Sequence, residues 1–73
     1  MKETLGERRV GPMPENMTAA ETMKNYAAEI DRLEALRETI TGETASQDRQ
    51  RTLSMAQDHA EIACMFAVKA LYQ

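Results

Sequence analysis

The side chains best suited to chemistry in this 73-residue chain are its cations, and the chemistry they suit is the gripping of phosphate. Arg8 and Arg9 precede a glycine- and proline-rich segment, and Lys24 lies near the start of the first long helical pattern. Arg49 and Arg51 fall in the opening turns of a second such pattern. Charge-assisted hydrogen bonds from guanidinium and ammonium groups are the usual grip on phosphate oxygens. If the amino-terminal segment folds back on the helices, Arg8, Arg9 and Lys24 converge. A helix start also attracts anions, but that dipole is weak at exposed sites, so Arg49 and Arg51 read first as plain surface arginines.

Other chemistry finds little support. There is no glycine-rich phosphate loop after a strand, no Ser/His/Asp or Cys/His arrangement and no HExxH. His59 stands beside Asp58 without a nucleophile and reads as a helix-surface residue. Cys64, the sole cysteine, sits in the most apolar segment and reads as a small core residue, which suits a reducing compartment. One cysteine and one histidine provide neither a disulfide nor a metal cluster, so no cofactor is expected. Glu29, Asp31, Glu34 and Glu38 alternate with Arg32 and Arg37 as a solvated, salt-bridged helix face would. The expectation is binding without catalysis. A net charge of −3 disfavours polymeric nucleic acid as a partner and leaves room for a small phosphate ligand. No stretch resembles a signal peptide or reaches transmembrane length, so the chain reads as cytoplasmic, with no membrane partner.

The elements that must position these groups are helical. Residues 1–17 hold Gly6, Gly11, Pro12 and Pro14 and read as a flexible, extended arm; residues 18–73 form the helical domain. Thr18 and Glu21 match a capping box, after which Ala19, Met23, Tyr26, Ala27, Ile30, Leu33, Leu36 and Ile40 form one apolar stripe. Gly42 ends this run, and Thr44 or Ser46 caps the next. Leu53, Ala56, Ala60, Ala63, Ala67 and Ala70 then offer a small-residue stripe for close helix packing. The fold class is all-α: an antiparallel two-helix hairpin with an extended arm. Met55, Ile62, Met65, Phe66 and Tyr72 remain on the opposite face. Burying such side chains is worth roughly 1.5–3 kcal/mol each, so a homo-oligomeric helical bundle is expected, with ligand pockets between subunits. The alternative is a hairpin that binds another protein through that face.

The run RTLSMAQDHAEIACMFAVKAL, Arg51 to Leu71, resembles the second hairpin helix of the small phage sponge proteins that defeat CBASS immunity. That helix is shared with the hairpin half of the anti-Thoeris sponges. The matching places are Arg51, Ser54 to Ala56, Glu61, Ala63, Met65 to Ala67, and Ala70 with Leu71. A proline-containing segment followed by a helix with a basic residue near its start is also similar. The resemblance implies a homohexamer that sequesters cyclic oligonucleotides such as cyclic GMP-AMP at subunit interfaces without cleaving them. It assigns Lys24 to the ligand phosphates and the segment Arg8 to Pro12 to stacking on the bases. That segment has no aromatic ring here, which leaves the stacking to the guanidinium plane of Arg9 or to Tyr26. A second basic pocket near Arg51 would suit cyclic trinucleotides.

Overall fold

The computed structural model describes residues 2–40 and 46–73, and every regular element among them is an α-helix. Helix α1 spans Leu5–Val10, α2 spans Met17–Ile40 and α3 spans Ser46–Leu71. No helix among the described residues is long and apolar enough to cross a membrane.

Helix α1 occupies part of what the composition suggested was a flexible arm. A capping box builds it: the Thr4 hydroxyl accepts from Glu7 N at 3.1 Å, and Thr4 N donates to Glu7 Oε1 at 2.8 Å. These two bonds satisfy donors that a six-residue helix would otherwise leave orphaned. Gly11, at φ 88°, takes the positive-φ conformation open to glycine and ends the helix, its N–H reaching Glu7 O at 3.2 Å. Among the described residues of the arm, 2–4 and the stretch from Gly11 to Asn16 remain non-helical.

Helix α2 starts two residues earlier than a Thr18 cap would place it, and its cap differs. Asn16 Oδ1 accepts from Ala19 N at 2.9 Å, which places Thr18 inside the helix, where its carbonyl accepts from the Thr22 hydroxyl. Asn is as good an N-cap as Ser or Asp, and its position two residues upstream wins. Of the expected stripe, Ala19, Met23, Ala27 and Ile30 are buried, Tyr26, Leu33 and Ile40 are half-buried, and Leu36 is exposed. The expected Gly42 terminus and Thr44 cap lie outside the described residues.

Helices α2 and α3 make the main contact of the fold, but α3 is rotated from the expected register. Its buried residues are Leu53, Gln57 and Cys64, while Ala56, Ala63 and Ala70 are exposed. The cause is a polar cluster. Gln57, 2% exposed, donates to Ile30 O at 3.3 Å and Glu34 Oε1 at 2.9 Å, and accepts from Arg37 Nη2 at 2.6 Å. Arg37 also donates to Gln50 Oε1 at 2.8 Å and to the Ser54 hydroxyl at 3.2 Å. Arg37 and Glu34 therefore leave the solvated face assigned to them and enter the α2–α3 interface. Four or more satisfied hydrogen bonds there outweigh the slight gain from burying alanine methyls instead.

Helix α1 lies across this pair. Gly6 rests on α2 so closely that a Cβ would stand 2.6 Å from the Ala27 carbonyl carbon, and its N–H donates to Asp31 Oδ1 at 2.7 Å. Only glycine fits that approach.

Candidate functional site

The seating of Gly6 on Ala27 determines where the cations point. Arg9, three residues on, is carried towards α3, where it bonds Asp58 Oδ1 at 2.8 Å and Glu61 Oε1. Arg8, two residues from Gly6 and so about 160° away around α1, is exposed and faces away from α2. Arg8, Arg9 and Lys24 consequently do not converge. Arg9 is also not open to stacking on a base, because two carboxylates hold it; the Glu61 hydrogen bond raises its already high pKa against the opposing cost of burial.

Lys24 has a different setting. It lines a recess of about 260 Å³ with Thr4, Glu7, Met13, Ala27, Ala28 and Asp31. Pro12 lines an adjoining recess of about 380 Å³ with Lys2, Glu3, Glu7, Gly11 and Met13. Glu7 and Met13 belong to both, so Met13 divides one shallow trough with Lys24 on one side and Pro12 on the other. Lys24 is exposed, and no ion pair engages it among the described residues. The neighbouring acids are engaged: Glu7 accepts from Thr4 N and Asp31 from Gly6 N. An exposed ammonium that makes no ion pair can meet an incoming anion, although the two carboxylates beside it keep their negative charge. Glu3, Glu7 and Asp31 still outnumber Lys2 and Lys24 in the trough, so a doubly charged ligand needs further cations from outside this chain.

The remaining candidates lie elsewhere. Tyr26 is half-buried, lines neither recess and sits about 160° around α2 from Lys24, so a single chain cannot bring the two to one ligand. Arg51 is exposed near the start of α3, 3.9 Å from Asp48. It follows Gln50, which meets Arg37, and Arg37 lies 13 residues beyond Lys24, about 20 Å along the helix. Sequence reasoning missed Met13 and Thr4. The signal for Thr4 was present as T-x-x-E at Thr4–Glu7, while a methionine in a proline-rich stretch carries no periodicity to announce it.

Two further features are chemically quiet. Cys64 is buried, and burial, with Glu61 adding to it, pushes its thiol above the ordinary value, opposite to what a nucleophile needs. Among the described residues no group of His, Cys, Asp and Glu side chains is arranged to hold a metal ion. No family model matches the chain, nor does any curated protein or solved structure.

Proposed function

We propose that this chain is a phage immune-evasion sponge, which binds cyclic oligonucleotide second messengers without cleaving them and so keeps a CBASS effector from being activated. The observation that carries the reading is the trough beneath α1, with unengaged Lys24 on one side, Pro12 on the other and Met13 between them. Lys24 contacts a phosphate. Met13 takes the role expected of an aromatic ring, because a polarisable thioether packs well against a π face. The protomer is an antiparallel hairpin with α1 laid across it, and it works as a homohexameric bundle in the cytoplasm of the infected cell. The carboxylates of the trough are the reason for assembly: the cations one chain lacks, Arg8 or Arg51, come from a neighbouring copy. Arg9 is removed from the ligand set and Tyr26 is kept only as a group contributed across an interface.

The test is retention and release. Purified chain is incubated with cyclic di- and trinucleotides, separated from free ligand and heated. Recovery of unmodified nucleotide supports the sponge, and linear products identify a hydrolase instead. Retention of none of them favours the hairpin as a protein-interaction module, a reading for which the exposed row Met55, Ile62 and Phe66 speaks directly.

A further inference from the structure

Helix α1 stops at Val10, and Gly11 then turns the chain towards Pro12 and Met13, on the trough side. The angle between α2 and α3 beyond Val10 is left uncovered. It forms an open recess of about 300 Å³, walled by Val10, by Met23 of α2 and by Cys64, Met65 and Val68 of α3. None of its lining residues lines the trough, so the two hollows are separate.

The walls define what kind of ligand body fits. Two valines and two unbranched thioethers supply most of the surface, with Met23 buried below and Met65 64% exposed at the rim. Burial keeps Cys64 in its thiol form, where it acts as a small apolar wall. No lining residue offers an aromatic ring for stacking, and the one lining carboxylate, Glu61, is held by Arg9. Such walls grip through dispersion and the release of water, and methionine adapts to a flexible chain. The volume lies at the lower end of ligand pockets, about 300–1,000 Å³, which suits one slender chain.

The charge defines the head. Lys69 lines the same recess, about 12 Å along α3 from Glu61. It is exposed, and no ion pair engages it among the described residues. Gln57 meets Ile30, so twelve residues further along α3 Lys69 is level with Thr18, twelve before Ile30. That first turn of α2 holds no acidic residue to answer it. With Glu61 matched by Arg9, the lining carries one uncompensated positive charge. We infer that this recess binds a single-chain amphiphile with an anionic head, a medium-chain fatty acid, whose alkyl chain lies over Met23, Cys64 and Val68 and whose carboxylate meets Lys69. A neutral chain would leave Lys69 unanswered and a cationic head would be repelled by it. The inference does not rest on the sponge reading.

Hexanoate, octanoate and decanoate, kept below micelle formation, are titrated into chain isotopically labelled at its methionine methyl groups and followed by NMR. The expected result is that Met23 and Met65 shift while Met55 and Met13 do not, with a dissociation constant that falls about fourfold for each added methylene. Decanol should bind about two- to fivefold more weakly than decanoate, and decyltrimethylammonium more weakly still. Lys69→Gln should remove the head preference and keep the dependence on chain length. Val68→Trp, filling the recess from a half-buried position, should abolish both with helical circular dichroism retained; if it fails to fold, the exposed Lys69→Gln still decides. No shift with any of the three acids, shifts spread equally to Met55, or no preference for decanoate over decanol overturns the proposal. So does binding to phosphatidylglycerol vesicles without binding of free decanoate, which would make the recess a membrane contact. Shifts at Met23 and Met65 that follow chain concentration rather than decanoate would overturn it too, by placing a second copy there. Nucleotide retention is read separately at Lys24, so either idea can fail without the other.

Discussion

Lys24 and Arg9 carry the same charge but are differently engaged. Arg9 is bound to Asp58 and Glu61, whereas Lys24 stands open over the trough. Lys24→Ala should therefore weaken nucleotide retention by about ten- to a hundredfold, the worth of one hydrogen bond to a charged group, with assembly mass unchanged. Isothermal calorimetry beside light scattering checks both halves, and unaltered affinity removes Lys24 from the site. Glu34 offers a pH-dependent readout of the α2–α3 contact. The Gln57 amide first, then Arg37, hold its carboxyl below the ordinary carboxylate range, while partial desolvation opposes them. A depressed native value adds stability that is fully present above the unfolded value, about 4.3, and is lost as pH falls through the native one. Thermal midpoints should accordingly drop as pH is lowered from about 4.5, and Glu34→Gln should flatten part of that decline. A midpoint with the same acid slope in both proteins would show that Glu34 is not held by its neighbours.

At the scale of elements, α1 depends on one close approach. Gly6→Ala sets a methyl against the Ala27 carbonyl and should lift α1 at a cost of about 1–3 kcal/mol, leaving α2 and α3 in place. Hydrogen exchange should then show residues 5–10 losing protection while the amides around Ile30 and Gln57 keep theirs; equal loss in both places would mean that α1 is integral to the core. The same elements show how much was legible. The α2 stripe was plain because Met23, Ala27 and Ile30 repeat at helical spacing and are all buried. Helix α1 was hidden by Gly6 and the nearby prolines, which normally signal a break, although the Thr4–Glu7 cap was in view. The rotation of α3 could not be read at all. Alanine contributes so little per methyl that a stripe of it gives a weak vote, and nothing in the sequence says that Gln57 will find three partners inside. The candidate site followed suit: Lys24 was found, but the convergence of Arg8 and Arg9 with it failed because the direction of each arginine depends on which residue of α1 touches α2.

For the molecule as a whole, stability should depend on concentration. If copies bury the outer face of α3, mass action raises the thermal midpoint with chain concentration, by a few degrees per tenfold in a domain this small. Calorimetry over a hundredfold range would reveal it, and an invariant midpoint would mean that the chain unfolds as a lone protomer. The same greasy composition raises a hazard that the fold has to meet. Slide α3 along α2 by one helical turn and leucine, alanine and methionine still find apolar company, since such side chains tolerate many neighbours. The Arg37 guanidinium does not: it would lose Gln57, Gln50 and Ser54 together and keep Glu34 of its own helix. One glutamine and one arginine thus act as a ratchet tooth, making the correct alignment the single one in which the interior is electrically quiet.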